Sequence, residues 1–212
     1  CAGDGGLTQA ISHYAIGGGA KLTASPADAS APVRVVERSN RAYRGEIDLF
    51  AHSGALAVVN RVDLEDYVAS VVGSELDAAW PMEALKAQAV AARTYVLKQG
   101  WKYGAAHVSD STSDQAYRGV EREFPAVVEA ARATAGERLA LADGTLLDAF
   151  YHSNAGGATA DPLEVWGREI AGVSSVQSPT DSAAERGKLI WYRVVLSDGR
   201  VGYIRSDLAD LT

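Results

Sequence analysis

One carboxylate of this chain stands where a general acid could work. Glu75 follows a helical pattern that begins after Asp63, and it precedes a second helical pattern that begins at Trp80 and Pro81. Proline suits a helix start, because its missing N–H would have no partner there. Carboxyl groups that transfer protons near neutral pH commonly have partly apolar surroundings, as the elbow between two amphipathic helices would provide. The alternative is a solvated surface glutamate or a helix cap, which position alone favours.

Other charged side chains could assist this glutamate. Lys86 and Arg93 are seven residues apart on the second helix, so they share a similar face and could tune Glu75 or hold a substrate. They could equally be solvated charges. Asp77 and Asp110 are the candidates for a partner carboxylate, if the reaction needs a second acid or base beside Glu75.

The pattern around these residues predicts an α+β fold with a β-rich scaffold and a helical core of two consecutive helices. The apolar faces of the two helices repeat at spacings of three and four residues, which is typical of helices packed on one side. Alternating residues predict strands over 33–37, 45–52 and 55–60, with a turn at 52–54 that joins the second and third. Gly73 is expected to end the first helix.

Several segments carry a resemblance to a known family. They are the stretches 59–76, 80–95, 110–119, 148–157 and 164–167. In this order they resemble the sporulation stage II protein D / LytB family, over roughly residues 43 to 181. That family contains lytic transglycosylases that act on bacterial peptidoglycan and proteins described as amidase enhancers.

The resemblance implies a reaction and a site. Glu75 would be the general acid and base that cleaves the bond between N-acetylmuramic acid and N-acetylglucosamine, with no metal cofactor. Positions that match the family's motifs, or lie beside Glu75, are expected to bind substrate: Lys86, Arg93, Gln115, Tyr117, His152, Ser153, Gly156 and Gly157. A loop glutamine, a half-buried tyrosine and a plain glycine loop are the alternative interpretations of these positions.

One segment departs from the family pattern. Many relatives have cysteines and a histidine where this chain has Ser109, Ser113 and Asp114, and some bind zinc there. Serine is a poor zinc ligand, and His107 with Asp110 and Asp114 is only a weak oxygen-rich alternative. We therefore expect no structural zinc, and a loop held by hydrogen bonds from side chains to the backbone.

The composition argues against some classes of partner. A net charge of -7 and a pI near 5.1 argue against nucleic acid or an anionic membrane surface as the main partner. The single cysteine, Cys1, excludes an intramolecular disulfide. A cysteine followed by small residues is typical of a bacterial lipoprotein after signal removal, although it could also be only the point where the sequence was cut.

The last part of the chain changes character. Residues 191–196 and 200–208, with Asp198 and Gly199 between them, resemble half of a bacterial SH3-like domain. Half a barrel leaves its apolar face uncovered, so either the N-terminal strands complete it or it is an extra hairpin. The expected organisation is an N-terminal segment and linker over 1–32, a catalytic domain over 33–181 and an SH3-like hairpin over 182–212.

These observations leave more than one function open. The favoured reading is a lytic transglycosylase of the bacterial cell envelope, extracytoplasmic and held to the membrane only through a lipid on Cys1. The alternatives are a non-catalytic peptidoglycan-binding module that enhances a cell-wall amidase, and an envelope adaptor with a vestigial groove. Peptidoglycan glycan strands, and in the first alternative an amidase, are the expected partners.

Overall fold

The computed structural model describes residues 2–3, 6–7, 19–28, 30–152 and 160–172, and the strands at 191–195 and 201–205. The chain divides into two compact units, 1–150 and 151–212. The division falls within the segment that we expected to belong wholly to the catalytic domain. The described residues form both helices and strands, which confirms an α+β fold.

Unit 1 contains short antiparallel strands. They are β1 (Ala2–Gly3), β2 (Gly6–Leu7), β3 (Lys21–Ala24), β4 (Val33–Val35), β5 (Arg41–Tyr43), β6 (Glu46–His52) and β7 (Ala55–Arg61). β1 pairs with β2 and β4 with β5, while β3, β6 and β7 form a three-stranded sheet in that order. The predicted β6–β7 hairpin is confirmed. Ser53 and Gly54 both have positive φ angles, as a tight two-residue turn between twisted strands requires.

Three helices complete unit 1, and two of them confirm the predicted consecutive pair. They are α1 (Leu64–Glu75), α2 (Met82–Gln99) and α3 (Pro125–Ala133). Asp63 caps α1, since its Oδ1 accepts a hydrogen bond from the Glu65 N–H at 2.8 Å. Pro81 is the N-cap of α2 rather than its first helical residue, so the helix begins one residue later than predicted. In the part of the chain described above, no helix has the length and apolarity to cross a bilayer.

The prediction that Gly73 ends the first helix is wrong. α1 continues to Glu75, and Gly73 is buried within it. A Cβ on Gly73 would lie 2.0 Å from the backbone oxygen of Arg122. Glycine is therefore needed for close approach of the 3₁₀ turn Gly119–Arg122, rather than for ending the helix.

The core lies where the three helices meet. Each helix contributes residues that are essentially inaccessible to solvent, listed here in chain order: Val68, Val71, Val72, Leu85, Ala89, Ala92, Val127, Ala130 and Ala131. Burying one valine or leucine side chain stabilises a fold by roughly 1.5–3 kcal/mol. This packing fixes the two ends of α1, and so fixes the position of Glu75.

The segment that follows α3 has little regular structure. Residues 138–152 contain an Asp143–Gly144 pair that is typical of a hairpin turn, but they form only one bridge, between Ala140 and Leu146, and Gly144 in the turn has a φ of 85°. In unit 2, α4 (Pro162–Trp166) is short, and β8 (Trp191–Val195) pairs antiparallel with β9 (Val201–Arg205). The predicted C-terminal hairpin is thus confirmed. Its completion by N-terminal strands stays a prediction.

Candidate active site

Glu75 is the last residue of α1, and its carboxylate is partly buried. Its Oε1 atom accepts a hydrogen bond of 2.9 Å from the backbone N–H of Ala116. Within the described residues, Oε2 accepts no hydrogen bond and no cation pairs with the carboxylate. One oxygen is therefore fixed and the other is left for chemistry.

The helix end explains why a donor is needed at this point. The last turn of α1 contains no basic residue, and the free carbonyl groups at a helix C-terminus carry partial negative charge. A carboxylate is poorly placed there unless another group donates to it. The Ala116 N–H supplies that hydrogen bond, and a donor to a charged oxygen stabilises more than a neutral pair does.

Asp114 organises the loop that carries Ala116. Its side chain is fully buried and pairs with Lys102, while the hydroxyl groups of Tyr95 and Tyr103 donate to it at 3.0 and 2.8 Å. The Ser109 N–H donates at 2.8 Å. Burial acts to raise the pKa of Asp114, but the hydrogen bonds from Lys102, Ser109 and the tyrosines outweigh it and lower that pKa to about 2.

Gln115 is fully buried. Its Oε1 accepts from the Tyr67 hydroxyl at 3.0 Å, and its Nε2 donates to the Ala92 carbonyl oxygen at 3.3 Å. The side chain thus joins α1 to α2. This placement does not support direct contact with a sugar, because the amide is occupied and shielded from solvent.

Tyr117 is also buried, with its ring between Tyr67 and Tyr43, at centroid distances of 5.0 and 5.8 Å. Its hydroxyl donates to Asn60 Oδ1 at 2.7 Å. Burial, followed by the nearby carboxylate of Glu123, raises the pKa of Tyr117 above its usual value. The tyrosine is therefore a neutral donor that fixes the loop to β7.

Arg93 lies at the other end of α1 from Glu75. It is fully buried, and its Nε donates to Glu65 Oε1 at 2.9 Å. It also donates to the carbonyl oxygens of Ala131 and Glu137, both at 3.1 Å. Glu65 and Glu75 are ten residues apart, which is about 15 Å along a helix. The expectation that Arg93 tunes Glu75 is not supported, since its charge is used to join α1, α2 and α3.

Lys86 is partly exposed and pairs with Glu83, with Nζ and Oε1 2.8 Å apart. The hydrogen bond to Glu83, and then the fields of Glu83, Glu129 and Glu137, raise the pKa of Lys86. Lys86 thus faces the side of α2 that carries Arg93, as its seven-residue spacing predicted. Its contact with substrate stays a prediction.

The structure gives less information on the remaining predicted positions. His152 is exposed in unit 2, whereas Ser153, Gly156 and Gly157 lie outside the described residues. Asp77 caps a turn by accepting from the Ala79 N–H at 2.9 Å. Asp110 forms an ion pair with Arg38. Asp77 thus stabilises a turn, whereas Asp110 connects two distant parts of the chain.

One open groove of unit 1 does not include Glu75 in its lining. It is an open groove of about 1660 Å³ between the strands, the N-terminal half of α1 and the loop that follows α2. Its wall includes the exposed Trp101, whose ring stacks on His107 at a centroid distance of 4.4 Å. The candidate carboxylate and this groove are thus separate features.

No cluster of three or more histidine, cysteine, aspartate or glutamate residues that could hold a metal ion occurs in the described ranges. Two of the residues in the oxygen-rich alternative have cationic partners instead, since Asp110 pairs with Arg38 and Asp114 with Lys102. The absence of a structural zinc stays a prediction. The loop is held by an ion pair and hydroxyl donors as well as by the expected bonds to backbone.

Sequence reasoning missed the backbone donor of this site and one buried polar group on α2. Ala116 acts through its backbone N–H, so no side-chain signal could have indicated it. Gln88 has a buried Nε2 with no hydrogen-bond partner in the described part of the chain. It lies one turn before Ala92 on α2, and its glutamine character alone gave no reason to single it out.

Comparisons with known proteins match the central part of the chain. A family model described as stage II sporulation protein (SpoIID) matches residues 52–140. An uncharacterized protein of Brachyspira hyodysenteriae is 36% identical over 129 residues, which cover 59% of this chain and 34% of that protein. Stage II sporulation protein D of Bacillus subtilis is 29% identical over 147 residues, which cover 61% of this chain and 43% of that protein.

A further relative is named for a different role. The amidase enhancer of Bacillus subtilis is 39% identical over 100 residues, which cover 47% of this chain and 13% of that protein. The chain thus spans less than half the length of each of these relatives. Residues 52–140, which contain Glu75, Ala116 and both central helices, thus match the SpoIID family model, and the named relatives support a likeness to the SpoIID/LytB family.

Proposed function

We propose that this protein is a lytic transglycosylase of the bacterial cell wall, which cleaves the bond between N-acetylmuramic acid and N-acetylglucosamine in glycan strands. The observation that carries the proposal is the carboxyl group of Glu75, with Oε1 held by the Ala116 N–H and Oε2 unbonded within the described residues. The similarity to the SpoIID/LytB family supports a role at the cell wall. We place the protein outside the cytoplasm on the same grounds.

The proposed reaction uses one carboxyl group twice. Glu75 Oε2 carries a proton to the glycosidic oxygen, and the bond from C1 of the muramic acid to that oxygen breaks. The resulting carboxylate accepts the proton of the muramic acid 6-hydroxyl, whose oxygen forms a bond to C1. The products are a 1,6-anhydro-muramic end and a free 4-hydroxyl end, and Glu75 is protonated again. No water is consumed.

The fixed oxygen makes this double use feasible. The Ala116 N–H donates to Oε1 throughout, so it orients the carboxyl plane and stabilises the charge that develops when the proton leaves Oε2. A preorganised donor of this kind does not need to rearrange during the reaction. The two roles of the carboxyl group therefore require no movement of α1.

The surroundings favour a reaction with one carboxylate. A hydrolase needs a second carboxylate to activate water or to attack the sugar. Asp110 is paired with Arg38, so it is not a free base in this arrangement. Asp77 accepts one backbone N–H, as Glu75 does, and it is the carboxylate that the Asp77→Asn variant tests as a partner. A nucleophile supplied by the substrate removes the need for that partner.

The predicted binding residues take two kinds of role in this proposal. Gln115, Tyr117 and Arg93 act from within the fold, because their polar groups hold the elements that position Glu75. Lys86 and His152 have exposed polar groups and are proposed to contact substrate. Ser153, Gly156 and Gly157 are proposed for the same role on the basis of the family motif.

Mass spectrometry of the products tests the reaction. Purified glycan strands, with and without stem peptides, are incubated with the wild type, Glu75→Gln and Asp77→Asn. We expect anhydro-muramic ends from the wild type and from Asp77→Asn, and at least a 100-fold loss in Glu75→Gln, as removal of a general acid predicts. Equal cleavage by Glu75→Gln would exclude the proposed role. Reducing ends that disappear in Asp77→Asn would identify a hydrolase instead.

A second function is favoured by one comparison. The amidase enhancer of Bacillus subtilis is similar over 100 residues, and the large groove of unit 1 does not include Glu75. A non-catalytic module would bind glycan strands and stimulate an amidase without using the carboxylate. Stimulation of a wall amidase that persists in Glu75→Gln, with no glycan cleavage by the wild type, would favour this function over the lytic one.

A further inference from the structure

We infer that Asp114 is a positioning residue for Glu75. This inference rests on the proposed function, in which Glu75 performs the chemistry. The Asp114 side chain is fully buried, although aspartate is seldom fully buried unless it is paired. It does not contact the carboxylate of Glu75 and acts on it through the backbone of Ala116, two residues further along the chain.

The partners of Asp114 come from three separate stretches. Tyr95 belongs to α2, Lys102 and Tyr103 belong to the loop after it, and Ser109 begins the loop that returns towards α1. Both carboxylate oxygens are used, since Tyr95 bonds to Oδ1 while Tyr103 and the Ser109 N–H bond to Oδ2. The carboxylate therefore joins α2 to the returning loop.

The residues after Asp114 leave little freedom to the backbone of Ala116. Gln115 is held between Tyr67 and Ala92, and Tyr117 is held by Asn60. The Ala116 N–H is the donor in this stretch that points to Glu75. It is fixed on one side by the charge of Asp114 and on the other by the Tyr117 hydroxyl.

The negative charge of Asp114 holds the loop more firmly than packing alone would. Hydrogen bonds to an ionised carboxylate are roughly twice as strong as neutral ones and are more directional. Removing the charge but keeping the side-chain size should loosen the loop from α2 while leaving the helical core intact. The Ala116 N–H would then spend less time on Glu75, and the carboxyl group would lose its fixed orientation.

The test uses variants that change charge and leave shape similar. Asp114→Asn and Lys102→Met remove the ion pair from either side, and Lys21→Met removes a comparable pair with Asp48 on the sheet as a control. The readouts are hydrogen exchange at the Ala116 amide, the carboxyl ¹³C shift of Glu75, and kcat and KM for glycan cleavage.

We expect the Ala116 amide to exchange at least about tenfold faster in Asp114→Asn, with a smaller acceleration in Lys102→Met. The Glu75 carboxyl shift should change in the same order. We expect kcat to fall while KM changes less than about twofold, because substrate contacts are retained. Lys21→Met should match the wild type in every readout.

Two results would overturn the inference. One is unchanged Ala116 exchange and Glu75 shift in folded Asp114→Asn, and the other is the same acceleration in Lys21→Met. If Asp114→Asn does not fold, Lys102→Met decides by the same criteria. Exchange and shift do not depend on catalysis, so faster exchange with no cleavage by the wild type would support the positioning while contradicting the proposed function.

Discussion

Glu65 and Glu75 lie at opposite ends of α1, and the fold surrounds them differently. Glu65 pairs with the fully buried guanidinium of Arg93, and its Oε1 also accepts from the Gly136 N–H at 3.4 Å. Glu75 has the Ala116 N–H on one oxygen and, in the described part of the chain, no cation. One helix thus carries one glutamate that joins the three helices and one to which the proposed function assigns proton transfer.

The comparison shows how a site can be told apart from a structural ion pair. A buried cation without its carboxylate costs several kcal/mol, so Glu65 is tied to the stability of the three-helix core. Glu75 is tied to one backbone N–H, and losing that bond costs far less. The residue whose loss the fold tolerates is the one available for chemistry.

The matched variants Glu65→Gln and Glu75→Gln should show the largest difference in stability. Glu65→Gln leaves Arg93 buried without a counter-charge, so we expect a loss of about 3 kcal/mol in the free energy of unfolding. Glu75→Gln keeps an acceptor for Ala116 and should cost less than about 1 kcal/mol. Urea unfolding at pH 7 measures both values. Similar losses in the two variants would contradict the distinction.

Asp114→Asn should have the next largest effect, and that effect should depend on pH. The folded pKa of Asp114 is about 2, below its ordinary value, so the ionised side chain stabilises the fold at pH values above the ordinary pKa. This contribution is lost as the pH falls towards 2. We expect a difference from the wild type of about 2 kcal/mol at pH 7 and about half of that at pH 3.

Urea unfolding of the wild type and Asp114→Asn across this pH range checks the expectation. Asp143, whose fully exposed side chain accepts from the Thr145 N–H, provides an aspartate at the surface as a control. Asp143→Asn should show little dependence on pH. A constant difference between Asp114→Asn and the wild type from pH 7 to pH 3 would show that the charge of Asp114 does not stabilise the loop.

Gly73→Ala should weaken the Glu75 end of α1 specifically. Alanine favours helix by about 1 kcal/mol over glycine, but its Cβ would overlap the Arg122 carbonyl oxygen, and overpacking typically costs 1–3 kcal/mol. We expect a net loss of about 1 kcal/mol in thermal or urea unfolding. Ser74→Ala, one residue further on the same turn, is the control. A stabilised Gly73→Ala would mean that the 3₁₀ turn moves aside freely.

Lys86→Met should have the smallest effect on stability. The pair of Lys86 with Glu83 is exposed, and such pairs contribute little to folding. We expect no measurable change in the unfolding midpoint. A loss of glycan cleavage in this stable variant would assign Lys86 to substrate binding, whereas unchanged kinetics would leave it as a solvated charge.

Local patterns made most of the central elements predictable. The Asp63 cap, the apolar spacing of α2 and the turn at Ser53 and Gly54 are each encoded within a few residues. The prediction for Gly73 failed because glycine is required there by the backbone of Arg122, which is far away in sequence. The 138–152 segment carries a turn signal but forms one bridge, since a turn sequence does not by itself provide strand partners.

The site was predictable at Glu75 and much less so around it. A family motif identifies Gln115 and Tyr117 as important but cannot say whether their polar groups face substrate or the core. Arg93 looked like a surface cation on a helix, and only the tertiary structure shows its pairing with Glu65. The Ala116 donor is part of the backbone, so residue types carry no trace of it.

The measurement that tests the central claim most directly is glycan cleavage in ¹⁸O-enriched water by the wild type and by Glu75→Gln. The account predicts anhydro-muramic products without ¹⁸O from the wild type and almost no product from Glu75→Gln. Products that contain ¹⁸O would show that water, rather than the muramic acid hydroxyl, attacks C1. Unchanged product formation by Glu75→Gln would contradict the assignment of the reaction to that carboxyl group.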